Sequence, residues 1–223
     1  MNNLVNAKQL ILTTSQDLVN KGFLIATGGN ISTRVAGEEA FAITPSNTDY
    51  MKMKSEDICI LDYKANQLEG DKKPSIESAM HAAIYEVRPD VQAIIHTHQV
   101  YSSTLALINI SIPCLFDEQA FFLGKKVKVI PYAPSGTSML KKRIVKHVQD
   151  HENAYLMKNH GALVFGTDMA RAVLNVKLLE KCALAYLLAL CTGHRVTRIP
   201  AYVREIAFKK LKDAQKALEE SQK

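Results

Sequence analysis

The segment 91–97 is the part of this sequence that most restricts the fold. Its consecutive apolar residues Ala93, Ile94 and Ile95 make both faces of a strand apolar, because successive strand side chains point to opposite faces. A strand of this kind has to be covered on both sides. We therefore expect it at the centre of a layered sheet.

The other hydrophobic patterns place this strand within one layered domain. Apolar residues at helical spacing predict helices over 4–21, 75–87, 102–107, 137–150, 168–190 and 206–221. Alternating or apolar runs predict further strands over 31–35, 41–44, 58–62, 126–132 and 155–158. Strands outnumber simple βαβ units, which favours a single mixed α/β or α+β domain over residues 1–223. Its end, from about residue 204 to 223, is expected to be an exposed helical tail.

Composition restricts the location and the partners. No run approaches the roughly 18 apolar residues of a membrane-spanning helix, and the N-terminus lacks the layout of a secretory signal, so a cytoplasmic protein without a membrane partner is expected. The formal net charge is +6. The basic clusters are not interleaved with aromatic residues, which favours a solvated face over a nucleic-acid interface. A modest positive field would still attract an anionic substrate.

The four cysteines do not have the spacing of a disulfide or zinc framework. They lie far apart or at helical spacing and form no CxxC pair, which excludes a zinc ribbon. Each is flanked by apolar residues, and small buried side chains are therefore expected at all four. These are Cys59, Cys114, Cys182 and Cys191.

Two histidines at the end of the central strand indicate a possible metal site. His96 and His98 are separated by one residue, and residues i and i+2 of a strand project from the same face. Two imidazoles at one spot are suitable metal ligands. By itself the pattern is common and also fits a polar strand end.

A third histidine strengthens the metal interpretation. His160 follows an apolar strand and precedes Gly161, and strand ends beside glycine turns are frequent binding positions in layered folds. Three histidines leave at least one coordination position open, which is typical of catalytic rather than structural zinc.

Glu77 is the candidate acid–base group. It follows Pro74 and Ser75, which are expected to open a helix with Ser75 as its N-cap. A carboxylate at a helix start is favoured by the helix dipole alone. It also fits a fourth metal ligand or a general base, and both interpretations stay open.

The other histidines are expected outside the site. His81 follows Glu77 by four residues, on the same helix face, where a packed or outer position is favoured over a ligand. Surface positions are expected for His147, His151 and His194.

Two polar turns and the helix start at Ser75 supply groups that bind anions. The turns are 27–30 (Thr-Gly-Gly-Asn) and 44–47 (Thr-Pro-Ser-Asn). Their backbone N–H groups and short polar side chains, combined with the helix N-terminus, are suited to a phosphate. Each turn alone is also compatible with an ordinary loop.

Taken in order, these segments resemble the class II aldolase/adducin family. The matching segments lie within about residues 5–192 and are 28–32 (GGNIS), 43–46 (ITPS), 74–77 (PSIE), 96–98 (HTH) and 159–161 (NHG). The resemblance implies a single-domain layered αβα fold with a central mixed, largely antiparallel sheet. It also implies a homotetramer with active sites at the subunit interfaces.

The resemblance assigns roles to individual residues. It implies a divalent ion, Zn2+ or another such as Mn2+ or Co2+, at Glu77, His96, His98 and His160, and it makes Glu77 the catalytic carboxylate. It places the phosphate of a sugar-phosphate-like substrate at Gly29, Asn30, Ser46, Asn47 and Ser75. The implied reaction cleaves or forms a carbon–carbon bond in a sugar phosphate or related hydroxy-ketone, through a metal-stabilised enediolate.

Two positions depart from the family pattern. Ile76 stands where an aldolase of this family has a second serine, and Asp117 stands about where it has a tyrosine from a neighbouring subunit; Tyr132 and Tyr202 are candidate replacements. A pentulose-phosphate 4-epimerase, a methylthioribulose-phosphate dehydratase and a decarboxylase of the same fold stay open, although the epimerases carry aspartate at the position of Glu77. An adducin-like binding domain without activity is disfavoured, because such domains lose the metal histidines.

Overall fold

A nine-stranded sheet lies at the centre of the computed structural model, which describes residues 3–221. Its strands are β1 (Asn30–Arg34), β2 (Ala40–Ile43), β3 (Cys59–Asp62), β4 (Gln67–Glu69), β5 (Ala93–Thr97), β6 (Ile112–Pro113), β7 (Lys126–Ile130), β8 (Ala154–Met157) and β9 (Gly161–Gly166). The helices are α1 (Asn3–Asn20), α2 (Ser78–Val87), α3 (Val100–Leu107), α4 (Asp117–Phe122), α5 (Ser138–Val148), α6 (Met169–Cys191) and α7 (Ala201–Ser221), with a 3-10 turn at Ser55–Asp57. That residues 1–223 form one domain stays a prediction, since residues 1, 2, 222 and 223 lie outside the described part.

The strand order is β4-β3-β2-β1-β5-β9-β8-β7-β6. It has four strands on either side of β5, and the central position predicted for this strand is confirmed. The pairing of β7 with β8 is parallel, and the other strand pairs are antiparallel. The predicted mixed, largely antiparallel sheet is therefore confirmed.

Helices cover both faces of the sheet. The side chain of Ile95 belongs to a hydrophobic cluster with residues of α1, α3 and α6, and the side chain of Ile94 belongs to a second cluster with residues of α2 and α5. Both isoleucines are fully buried, and each contributes roughly 1.5–3 kcal/mol by leaving water. This gives the three layers expected from the sequence. No helix of the described residues is long and apolar enough to cross a membrane.

The start of α2 differs from the prediction, and Ser75 is not its N-cap. Residue Glu77 occupies the N-cap position, and the helix begins at Ser78. The preceding residues form a separate turn, in which the Ser78 N–H donates to the Ser75 carbonyl at 3.0 Å and the Glu77 N–H donates to the Ser75 hydroxyl at 3.3 Å. Ser75 thus stabilises the turn that presents Glu77, rather than the helix itself.

Some elements do not follow from the sequence patterns. The most important is β9, a buried strand that begins directly at Gly161, where we had expected only a turn. It pairs with both β5 and β8. The short strands β4 and β6 and the helix α4 were also missed, because elements of two to six residues contain too few positions to show a period.

The C-terminal tail forms the helix α7, most of which is exposed, although one face of it is buried. Ala207, Phe208 and Gln215 of α7 are buried. The Gln215 amide donates to the His151 carbonyl at 3.2 Å and to the Asn153 side chain at 3.0 Å. An amphipathic helix in this position covers apolar surface through one face, and this face ties α7 to the rest of the chain.

Three of the four cysteines are buried, as expected. Cys59, Cys114 and Cys182 lie in apolar surroundings, and burial raises the pKa of each thiol. Cys191 is exposed, contrary to the expectation, because it lies in the last turn of α6 where the helix leaves the core. All four are free thiols.

Candidate metal centre

The three histidines predicted as ligands meet at one point. His96 belongs to β5, His98 follows this strand, and His160 lies in the turn between β8 and β9. The Nε2 atom of His96 is 3.0 Å from Nε2 of His98 and 3.2 Å from Nε2 of His160. One nitrogen from each ring lies within 4.8 Å of the other two. Two separate segments of the sequence therefore present three ligand atoms to a common centre.

Strand pairing and two glycines bring these rings together. The end of β5 lies beside the start of β9, with Thr97 opposite Ala162. A Cβ atom on Gly161 would lie 2.4 Å from the Thr97 carbonyl oxygen and 2.7 Å from a His98 ring carbon. A Cβ atom on Gly29, whose φ is +82°, would lie 2.4 Å from the His96 carbonyl oxygen. Only glycine permits these approaches.

The hydrogen bonds of His96 determine which ring nitrogen is free. Its Nδ1 atom is 2.8 Å from the carbonyl oxygen of Ala162, and a carbonyl can only accept, so Nδ1 carries the proton and donates. Burial lowers the pKa of His96 to about 4, although Glu77 opposes the shift. The ring is therefore neutral at pH 7, and Nε2 presents a lone pair to the centre.

Glu77 faces the same centre. Its Oε2 atom is 3.4 Å from Nε2 of His96, and its Oε1 atom is 3.4 Å from Nε2 of His160. Burial would raise the pKa of this carboxyl, but His96, His160 and a hydrogen bond from Asn30 outweigh burial and lower it. The carboxylate is therefore ionised, and its buried Oε1 atom has no hydrogen-bond partner.

These donors fit a divalent cation. Converging nitrogen lone pairs and a buried, partly unpaired carboxylate repel one another and are costly to bury without a positive partner. Three imidazole nitrogens and one carboxylate oxygen are a ligand set that zinc and similar divalent ions accept. The side chain of His98 is exposed, which leaves this side of the centre open to a small molecule.

A cleft of about 210 Å³ surrounds the centre and contains every residue predicted to bind substrate. The five are Gly29, Asn30, Ser46, Asn47 and Ser75. Ser46 is half-buried and Asn47 is exposed with a φ of 50°. A bridge between Pro45 and Pro74 joins the polar turn to the segment before α2.

Two of these five side chains already contact Glu77. The amide nitrogen of Asn30 donates to Oε2 of Glu77 at 2.9 Å, and the Ser75 hydroxyl accepts from the Glu77 N–H. The Asn30 amide therefore orients the carboxylate, and the Ser75 hydroxyl holds the Glu77 backbone. The more exposed Ser46 and Asn47 are better placed to contact a substrate.

Ser135 lines the cleft and was missed by the sequence analysis. Its hydroxyl lies 3.4 Å from Nε2 of His160, in the loop that follows β7. The parallel pairing of β7 with β8 places the ends of these strands side by side, which brings this loop next to His160. The dipeptide Ser135-Gly136 signals a turn, but only the strand pairing shows that the turn reaches the site.

The two residues that depart from the family pattern occupy different places. Ile76 lines the cleft and is 65% exposed, so it presents an apolar group where a hydroxyl was expected. Asp117 is exposed at the start of α4. It does not line the cleft, and neither do Tyr132 and Tyr202, which are also exposed.

The other histidines lie outside the cleft. His81 is fully buried, as predicted, with Nδ1 2.7 Å from the Ser32 hydroxyl, and burial lowers its pKa to about 3. His194 is exposed. The expected surface positions of His147 and His151 are correct only in part, since both are half-buried.

Comparison with known families assigns the chain to a class of protein. Residues 9–187 match the family described as Class II Aldolase and Adducin N-terminal domain. This segment is most of the chain and includes all the residues of the candidate metal centre. The protein therefore belongs to the class II aldolase/adducin family.

Individual relatives are named as aldolases. The chain is 32% identical over 183 residues to 5-deoxy-D-ribulose 1-phosphate aldolase of Bacillus thuringiensis serovar kurstaki, covering 82% of this chain and 85% of the relative. It is 32% identical to L-fuculose phosphate aldolase of Methanocaldococcus jannaschii, covering 82% and 97%. A solved structure of L-fuculose 1-phosphate aldolase superposes with a TM-score of 0.87 at 33% identity, covering 93% and 96%.

These similarities confirm the predicted fold class and the prediction of a class II aldolase, an enzyme of the lyase class. The epimerase, dehydratase, decarboxylase and non-catalytic alternatives are not favoured.

Proposed function

We propose that this protein is a metal-dependent aldolase that cleaves or forms a carbon–carbon bond in a sugar phosphate or a closely related hydroxy-ketone. The observation that carries this proposal is the convergence of three imidazole nitrogens and the ionised Glu77 in one polar cleft. Relatives named for 5-deoxy-D-ribulose 1-phosphate and L-fuculose phosphate point to the same substrate class.

His96, His98, His160 and Glu77 would hold the ion. Zinc is the first candidate, because imidazole nitrogens and one carboxylate are its common ligands in catalytic sites, and Mn2+ and Co2+ are alternatives. When bound, the ion supplies Lewis-acid stabilisation for negative charge on the carbonyl oxygen of the substrate.

Glu77 is proposed as the acid–base group. In the direction of bond formation its carboxylate accepts the proton from the carbon beside the ketone, and in the direction of cleavage it returns that proton. The environment suits this role, because the lowered pKa keeps the group ionised. The Asn30 amide and the Ser75 hydroxyl hold the segment in place.

The phosphate of the substrate is proposed to bind at the polar turns. Ser46, Asn47 and Gly29 offer a hydroxyl, an amide and backbone N–H groups on one wall of the cleft. Among the described residues that line this cleft there is no lysine or arginine. The charge of the phosphate is therefore met here by hydrogen-bond donors, unless a neighbouring subunit adds a cation.

We propose a homotetramer with active sites at its interfaces, because a neighbouring subunit could add the groups that this cleft lacks. The helix α3 begins two residues after His98 and exposes Val100, Tyr101 and Leu107 at 62%, 39% and 58%. Exposed apolar residues grouped on one element are typical of a protein interface. A subunit packed on this helix would lie close to the open side of the metal centre and could supply Asp117 or a tyrosine.

A cytoplasmic location is proposed from the cysteines. The four free thiols are typical of a reducing compartment, since secreted proteins more often pair their cysteines.

The proposal is tested by metal analysis and by cleavage assays on the purified protein. About one divalent ion per chain is expected by mass spectrometry, together with metal-dependent release of an aldehyde from one member of a panel of 1-phosphorylated ketoses. The panel includes 5-deoxy-D-ribulose 1-phosphate and L-fuculose 1-phosphate. A folded protein that retains no divalent ion and cleaves none of them would overturn the proposal.

A further inference from the structure

A second cleft, of about 370 Å³, lies at the opposite end of β7 and β8 from the metal centre. Lys126 begins β7 and Glu152 precedes β8, and both line this second cleft. The loops that carry Ser135 and His160 follow the other ends of the same two strands. Because these strands are parallel and a five-residue strand spans about 16 Å, the two clefts are separate.

The second cleft is strongly basic. Five cationic side chains line it, against two carboxyl groups, Glu152 and Glu205. The cations are Lys125, Lys126, Lys128, Arg198 and Arg204. A concave site with an excess of one charge concentrates ions of the opposite sign.

Not all of these cations are neutralised within the chain. Glu205 lies 3.2 Å from both Lys125 and Arg204, and Lys128 pairs with Asp150 outside the cleft lining. Within residues 3–221, no carboxylate or hydrogen-bond acceptor engages the charged groups of Lys126 or Arg198. Two positive charges are therefore available to a bound anion.

Two buried polar atoms in the same cleft lack a partner. They are Nε of Arg204 and Oε2 of Glu152, and the Glu152 side chain is almost fully buried at 2% exposure. A buried donor without an acceptor is destabilising, and a ligand oxygen at Nε of Arg204 would supply the missing acceptor. Burial and the nearby Asp150 raise the pKa of Glu152 to about 8, so this carboxyl is largely neutral at pH 7 and does not cancel the cations.

We propose that this second cleft binds a small phosphate-bearing anion. Arg204 and Arg198 supply guanidinium donors, which match phosphate oxygens in geometry, and Lys126 supplies a further charge. The volume has room for a phosphate with a short organic group. The shared chemistry is a phosphate dianion, whether free phosphate or a monoester.

The test is calorimetric titration of the full-length, metal-loaded protein with inorganic phosphate and with methyl phosphate. Because the metal cleft is also proposed to bind phosphate, the titration is repeated with the Ser46→Ala/Asn47→Ala variant, in which binding at the second cleft should remain. In that background, Lys126→Gln/Arg198→Gln is expected to weaken phosphate binding at least 10-fold. Tighter binding of methyl phosphate than of phosphate would identify the ligand as a monoester, and the reverse order would identify free phosphate.

A matched control separates a site from general electrostatics. Lys141→Gln/Lys142→Gln removes the same charge from two exposed positions on α5 and should leave binding unchanged. Circular dichroism confirms that each variant is folded. Equal losses in the two double variants, or unchanged binding in Lys126→Gln/Arg198→Gln, would overturn the proposal without bearing on the metal centre.

Discussion

The side-chain amide of Asn30 donates a 2.9 Å hydrogen bond to Oε2 of Glu77. Both side chains are buried, and Asn30 is also paired with His96 across the β1–β5 ladder. One residue thus fixes the carboxylate relative to the strand that carries the first histidine. Without this hydrogen bond the carboxylate would keep only its contacts with the imidazoles.

Asn30→Ala is therefore expected to impair the metal centre without unfolding the protein. Loss of a hydrogen bond to a charged group costs about 1.5–3 kcal/mol, which corresponds to roughly 10-fold to 100-fold weaker metal binding. Competition with a chromophoric chelator measures this change. Asn66→Ala is the matched control, because Asn66 donates to Asp62 at 2.8 Å on the surface. Equal metal affinities for Asn30→Ala and the wild type would show that Asn30 does not position Glu77.

His98→Ala should abolish stable metal retention. It removes one of three converging nitrogens, and the two remaining imidazoles and a carboxylate make a weaker site. The exposed side chain at this position makes a folding defect small. Metal content after dialysis is compared with that of His194→Ala, which removes an exposed imidazole outside the cleft. Metal content equal to the control would remove His98 from the ligand set.

Glu77→Gln should keep the fold but slow proton exchange beside the ketone. The amide has nearly the same shape but cannot accept the proton, and general base catalysis typically contributes 100-fold to 10,000-fold. Exchange into deuterated water, followed by NMR on a phosphorylated hydroxy-ketone, measures this step separately from carbon–carbon cleavage. Glu56→Gln, an exposed carboxylate, is the control. Exchange at a near-normal rate would assign the base to another group.

Gly161→Ala adds only one methyl group but is expected to disrupt the histidine cluster. The added methyl group would lie 2.4 Å from the Thr97 carbonyl oxygen and 2.7 Å from the His98 ring, so β5 and β9 would have to separate. We expect weaker metal binding and a lower Tm. Gly193→Ala is the control, because its methyl group would meet no atom within 4 Å and only the positive φ of 73° is disfavoured. Identical metal affinity and Tm in the two variants would contradict the close approach.

Much of the site could be predicted because its residues are local in sequence. His96 and His98 share a strand face by spacing alone, and the apolar run before them showed that this strand is central. The glycine turn after β8 marked His160 as a third candidate, and the family resemblance then assigned both His160 and Glu77 to the site. Their arrival at one point agrees with that inference. His160 precedes β9, the neighbour of β5, and Asn30 at the start of β1, the other neighbour of β5, holds the Glu77 carboxylate.

The parts that could not be predicted depend on long-range pairing. Ser135 reaches the site only because β7 lies parallel to β8, and a sequence does not show which strands pair. The sequence predicts a turn at this point, because glycine usually interrupts a strand, whereas the closeness of β5 to β9 requires glycine at position 161. The position of Glu77 just before α2 is a local exception, because Ser75 forms a turn with Glu77 and Ser78 instead of capping the helix.

The buried carboxyl of Glu152 predicts how stability depends on pH. Its pKa is about 8 in the folded protein, against 4.5 for an ordinary glutamate, so between these values the folded state holds a proton that the unfolded state has lost. The free energy of unfolding therefore falls as pH rises from about 4.5 to 8. Glu152→Gln removes this loss of stability, so the Tm of the variant should fall less than the Tm of the wild type between pH 5 and pH 8. If the carboxyl changes the free energy of unfolding by ~2 kcal/mol, the two declines in Tm should differ by several degrees. Glu38→Gln, at an exposed carboxylate, should follow the wild type. If the Tm of Glu152→Gln declines as steeply as that of the wild type, the buried carboxyl is already ionised and the cation excess of the second cleft is smaller by one charge.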